Sequence, residues 1–287
     1  MQLGFSTMNT MADPDPRDLA RMVEQAGFES LWMGEHSHIP RCRTTAYPGG
    51  GELPEPYKKM RDPYIALMAA ATATTTLKLG TGISLLMERE IISQAKTIST
   101  LDQLCGGRLL LGVGVGWNKE EFENSNTAIP WNKRYRGLEE VVSATRRMFS
   151  DEAPEFHGEF IDFDPIWFEP KPIQAGGPPV LMGAMGPKGI EHAARWADGW
   201  MPADIALLNI EEDIARFKAQ VASFGRDPEQ VDITVVAMSE INRDLLLRYR
   251  DAGVGRTIIG VGVDNWDRPE VIEPLIELGA SMIDELK

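Results

Sequence analysis

Arg108-Leu-Leu-Leu-Gly-Val-Gly-Val-Gly-Trp117 is an apolar run that closes in alternating glycines. It reads as a strand. Because glycine has no Cβ, a flat cofactor ring could approach the backbone there; the other reading is that the glycines only relieve crowding at a strand end. The spacing is Gly-x-Gly-x-Gly rather than Gly-x-Gly-x-x-Gly and falls in mid-chain, which argues against a Rossmann dinucleotide site.

Outward from this run, short β-rich segments alternate with amphipathic ones, as in a parallel sheet with helical crossovers. The predicted strands are Gln2–Thr7, Ser30–Glu35, Lys78–Leu85, Arg108–Gly114, Pro179–Gly183, Gly199–Pro202, Asp232–Ala237 and Arg256–Val261. Between the first two, Leu19, Met22, Val23 and Ala26 recur at helical spacing. Eight such units in 287 residues predict an α/β chain folded as a single (β/α)8 TIM barrel over residues 1–287. Two segments break the pattern. Ile39–Met60, rich in Gly, Pro and charge, follows the second strand, where a barrel places an active-site loop. Asp151–Gly177, rich in aromatics and prolines, is an insertion expected either near the barrel mouth or as a surface excursion with a small core of its own.

A chain 43% hydrophobic and 25% charged can bury a sizeable core. Its net charge of −14 disfavours nucleic acid and anionic membranes as partners, while leaving one local pocket free to take an anionic cofactor. No apolar stretch approaches the roughly 18 residues of a membrane span, and Met1–Thr10 lacks the features of a signal peptide, so a cytoplasmic protein is expected. Cys42 and Cys105 suit neither a disulfide framework nor a zinc site.

Gly34-Glu35-His36-Ser37-His38 stands at the end of the second predicted strand. A carboxylate and an imidazole there are candidates for proton transfer or for hydrogen bonding to a heterocycle, with Glu35 and His36 the catalytic candidates and His38 a pocket residue. A structural role for His36 is the alternative, and a metal site is disfavoured because no third ligand has the usual spacing. Further on, Val180-Leu-Met-Gly183-Ala-Met-Gly186-Pro-Lys188 reads as strand, glycine turn and helix start. Such a turn aims free N–H groups and a positive helix end at one spot, which suits phosphate; an ordinary βα loop is the plainer reading. Gly183, Ala184, Met185, Gly186 and Lys188 are the candidates.

Taken in order, Phe28–His36, Leu79–Ser84, Arg108–Trp117, Pro179–Gly186 and Ala197–Trp200 resemble the bacterial-luciferase-like superfamily over nearly the whole chain, and within it the branch that uses coenzyme F420. The resemblance implies a barrel with the deazaflavin ring across the strand ends, resting on a third-strand bulge at Thr81, Gly82 and Ile83 that contains a cis Gly82–Ile83 peptide. It also implies that Gly114 and Gly116 lie against the ring, that the phosphate sits near the fifth strand, and that His36 stands beside the ring. Two departures stand out. Alcohol-oxidising relatives carry a tryptophan where this chain has Pro40, and an acid directly after the glycine strand, where it has Trp117. The expected activity is therefore hydride transfer between F420 and an apolar or aromatic small molecule, with Trp117 and the aromatic insertion 151–177 lining the pocket. The alternatives are an FMN-dependent monooxygenase and a non-catalytic flavin-binding homologue. A homodimer is the expected assembly.

Overall fold

In the computed structural model, which describes residues 1–287, every predicted strand is present. In chain order the strands are β1 (Gln2–Thr7), β2 (Ser30–Met33), β3 (Lys78–Ser84), β4 (Leu109–Val113), β5 (Phe156–His157), β6 (Asp162–Phe163), β7 (Val180–Met182), β8 (Gly199–Trp200), β9 (Asp232–Val236) and β10 (Arg256–Gly260). All but β5 and β6 close into a parallel barrel in the order β1-β10-β9-β8-β7-β4-β3-β2. This is the (β/α)8 fold.

Nine helices surround or flank it: α1 (Pro16–Gln25), α2 (Pro63–Ala73), α3 (Ile91–Leu104), α4 (Lys119–Asn124), α5 (Arg134–Ser150), α6 (Pro187–Trp196), α7 (Ile210–Ser223), α8 (Arg243–Asp251) and α9 (Ile272–Leu286). Local chemistry starts several of them. Asp15, Asp62, Glu90, Asn209 and Asn242 each accept an N–H of the first helical turn, which would otherwise lack a partner. Helix α6 has Gly186 in that place and no side-chain cap.

Strands β2 and β4 are buried along their whole length because helices cover one face and the barrel interior the other. Leu109, Leu111 and Val113 join the large core between strands and helices, whereas Leu110 points inward with Trp32, Leu181, Met201 and Ile258. Trp32 fills the barrel, and a Cβ on Gly80 would come within 2.2 Å of its ring. At the amino end, Arg256 donates to both carboxylate oxygens of Glu29 and to Asp232, tying β10 to the start of β2 and to β9.

The insertion 151–177 takes neither of its two expected forms: none of its aromatics lines the cavity at the barrel mouth, and it has no core of its own, since Phe168 belongs to the main core and Phe160, Ile161, Phe163 and Ile166 pack against it. It joins α5 to β7, and an αβ connection returns at the amino ends of the strands, the end opposite the active-site loops. From there the β5–β6 hairpin, with the Phe156 and Phe163 rings stacked, runs back along α5, where Glu140 accepts from the Phe160 and Ile161 amides and Glu159 pairs with Lys133 and Arg136 at the helix start. Phe168 is buried beside Phe149, and Gln174 bonds Asp102 and the Leu109 carbonyl at the amino end. The segment at the barrel mouth is 39–60. No helix is long and apolar enough to cross a membrane.

Candidate active site

A cavity of about 360 Å³ opens at the carboxyl ends of the strands. Its walls come from the ends of β1, β2, β3, β9 and β10 and from the loops after β2, β4, β7 and β10, so residues distant in sequence meet there. His36, Gly82, Ile83, Met185 and Trp117 lie together on it. The β3–β4 register shifts between Thr81 and Ser84, and Gly82 and Ile83 of this bulge line the cavity with His36; the Gly82–Ile83 peptide is cis.

The His36 imidazole is nearly enclosed. Its Nδ1 lies 2.6 Å from Glu121 Oε2 on α4, and Nε2 has no protein partner. Tyr57 and Trp117 meet the ring edge-on at 5.1 and 5.7 Å, and Trp266 meets Tyr57 at 5.5 Å. Burial holds the Tyr57 hydroxyl well above the usual phenol range, so it stays neutral. Aromatics from three loops thus wall the same side of the cavity as the imidazole. Neighbouring Glu120 accepts from the Thr44 and Thr45 amides and anchors the 39–60 loop to α4. Short helix α4 therefore serves two ends, one acid holding the loop and the next holding His36.

Several expected site residues do something else. Glu35 reaches the cavity wall, but its carboxylate accepts from Ser84 Oγ and the Leu85 amide at 2.6 and 2.8 Å and pairs with Arg89. It fastens the end of β3 and has no free oxygen for a substrate proton. His38 is turned outward, with Nδ1 at Ser37 Oγ and Nε2 at Asn124, and does not line the cavity. Gly114 serves packing: a Cβ there would lie 1.9 Å from Ile83 Cδ1, so the glycine houses the bulge side chain rather than a cofactor ring. Gly116 has φ +69°, a conformation that glycine adopts freely, and lies against Leu85 and Glu88. Thr81 is fully buried, its hydroxyl on the Gly112 carbonyl, while Ala184 is buried with its carbonyl on Trp200 Nε1. The Lys188 ammonium lies over the Tyr135 ring and not before the turn.

The turn itself suits an anion. Helix α6 begins with no side-chain cap, and nothing stands within 4 Å of a Cβ placed on Gly186, so the space in front of its first N–H groups is open. Met185 lines both the main cavity and a smaller groove that runs past Pro187 to Arg216. No cluster of three or more His, Cys, Asp or Glu side chains is arranged to hold a metal ion.

Sequence reasoning missed Glu121, Glu88, Tyr57 and Trp266. Glu121 carried a faint signal, since the resemblance predicts an acid directly after the glycine strand; the acid that reaches the imidazole stands four residues beyond Trp117.

The sequence model of the luciferase-like monooxygenase family matches residues 7–244. The chain belongs to that family. An uncharacterized protein of Mycobacterium tuberculosis is 36% identical over 254 residues, covering 86% of each chain. A 5,10-methylenetetrahydromethanopterin reductase of Methanolobus tindarius is 28% identical over 225 residues, 78% of this chain and 61% of that one. Among solved structures, an F420-dependent secondary alcohol dehydrogenase superposes with a TM-score of 0.76 at 17% identity, covering 100% and 99% of the two chains. A monooxygenase from Streptomyces bottropensis superposes at 0.68 and 21%, covering 99% and 80%. At such identities these two structures show a shared fold. The luciferase-like family consists of oxidoreductases and monooxygenases, so the chain is an enzyme of that kind.

Proposed function

We propose that this luciferase-like enzyme transfers a hydride between coenzyme F420 and a small apolar or aromatic molecule, acting as one catalytic domain over residues 1–287. The observation that carries the reading is the His36 imidazole, anchored at Nδ1 and free at Nε2, on an aromatic-walled cavity beside the Gly82–Ile83 bulge. The F420-dependent alcohol dehydrogenase with this fold supports the choice of cofactor, as does an F420-dependent tetrahydromethanopterin reductase that superposes with a TM-score of 0.72 at 18% identity.

The residues present fit such a group. Gly186 and the open first turn of α6 would hold its phosphate, with Arg216 the basic residue in the adjoining groove. Gly82 and Ile83 would support the ring. When bound, the deazaflavin supplies the hydride chemistry. His36 Nε2 takes or gives the substrate proton, while Tyr57, Trp117, Trp266 and Met60 exclude water and favour an apolar substrate.

The test is the absorbance spectrum of the protein after incubation with F420 or FMN and removal of excess. A deazaflavin band near-stoichiometric with protein is expected. Retention of FMN in preference would overturn the cofactor assignment and favour an FMN-dependent monooxygenase, a reading the monooxygenases sharing this fold support.

A further inference from the structure

Beside His36 lies a group of buried acceptors that the proposed reaction leaves unused. Glu121 is 1% exposed; its Oε2 faces His36 Nδ1 and, at 3.5 Å, Asn118 Nδ2. Its other oxygen, Oε1, is enclosed without a donor, and so are Asn118 Oδ1 and Glu88 Oε2. Glu88 stands in the same neighbourhood: its Oε1 lies 3.4 Å from where a Cβ of Gly116 would be, two residues before Asn118. Enclosed acceptors left unpaired are destabilising, so these oxygens call for hydrogen atoms that the deprotonated carboxylates lack.

The proton belongs on Glu88 because Glu121 Oε2 faces two nitrogens, His36 Nδ1 and the Asn118 amide, while the Glu88 side chain has no partner. The groups facing Glu88 are Glu121 on α4, Glu35 at the end of β2, and Arg89 beside it. Burial first, then the charges of Glu121 and Glu35, push its carboxyl up to about 8 against the opposing pull of Arg89.

We infer that Glu121 is the positioning residue that holds His36 in its Nδ1–H tautomer, and that Glu88, carrying its proton, donates it to one of the neighbouring acceptors, directly or across one buried water. This rests on His36 being the proton-transfer group proposed above. With Nδ1–H given to Glu121, the Nε2 lone pair is left for the substrate. In one direction the substrate's bond to hydrogen breaks and an Nε2–H bond forms, the imidazolium charge being offset by the Glu121 carboxylate. In the other direction the same proton leaves Nε2 for the substrate.

Two measurements on the cofactor-free protein test this. The chain has four histidines, so His36 is assigned in a long-range proton–nitrogen spectrum of histidine-labelled protein by its loss in His36→Asn. The neutral ring is expected as Nδ1–H in wild type and Nε2–H in Glu121→Ala, with Glu121→Asp restoring part of the wild-type population. Infrared spectra of glutamate-labelled protein should show a protonated carboxyl band at neutral pH that fades as pH rises through about 8. Glu88→Gln, which keeps a donor, should lose that band and leave the tautomer unchanged. An Nε2–H ring in wild type, an unchanged tautomer in Glu121→Ala, or a protonated band that survives Glu88→Gln would each overturn the proposal. The wild-type spectra decide even if a variant fails to fold. Turnover unaffected by His36→Ala would instead sink the catalytic reading and leave the tautomer result standing.

Discussion

Three carboxylates close around the His36 end of the cavity, and the donors each one meets set its part. Glu35 has Ser84, the Leu85 amide and Arg89, so it is a buried anchor. Glu121 has the imidazole, and Glu88 has none. His36→Ala is expected to lower turnover by about 10²–10⁴, the usual contribution of a positioned acid–base group, with cofactor affinity little changed; a loss under about threefold would contradict the role. Glu88 also makes stability depend on pH. Its folded value, about 8, stands above the 4.5 of the unfolded chain, so its contribution is fully present below about pH 4.5 and is lost as pH rises through about 8. Relative to Glu88→Gln, wild type should therefore lose on the order of 2–4 kcal/mol between about pH 5 and pH 9. Urea unfolding at the two pH values measures this, and a gap that does not widen would count against it. His36 was legible in the sequence because a barrel strand's end is a recognisable place. Its pairing with Glu121, 85 residues away, was not, since no local pattern encodes which helix turn faces which strand end.

Among the elements, β3 and β4 show how one glycine can be read in two ways. The alternating glycines after Leu111 mark a strand end correctly, but they accommodate a neighbouring strand: Gly112 lies under the Thr81 carbonyl and Gly114 under Ile83. Gly114→Ala should force the bulge to shift and destabilise the fold by about 1–3 kcal/mol, the range for overpacking, as denaturant unfolding would show. Gly186 has open space before it, so its replacement should leave the fold intact. Gly186→Val is expected to raise the dissociation constant of a phosphate-bearing deazaflavin at least about tenfold, roughly 1.4 kcal/mol. Circular dichroism should stay unchanged, and a change at Glu191 on α6 should have little effect. Unaltered binding by Gly186→Val would place the phosphate elsewhere.

At the scale of the whole molecule, the barrel is fastened at its amino end by a buried ion network and left open at its carboxyl end. Arg256 is 5% exposed and bonded to Glu29, Asp232 and Thr234. Removing one partner of a buried pair strands the others, so Arg256→Ala should cost about 3–5 kcal/mol in chemical denaturation; a loss under about 1 kcal/mol would show the carboxylates find water instead. The Glu29 carboxyl, held down to about 2 against its burial by Arg256 and Lys78, gives stability that is present above about pH 4.5 and lost as pH falls through about 2. Strand count, order along the chain, the His36 strand end and the glycine turn before α6 were all determined by the sequence alone. Each rests on local chemistry: apolar runs, turn residues and a proline at a helix start. Tertiary structure alone decided which loops meet over the mouth, that the 151–177 insertion packs along α5 and on the main core, away from the cavity, and that Glu121 rather than Glu35 faces His36. Those outcomes depend on closing eight strands into a ring, which brings chain positions together at distances that no window of sequence spans.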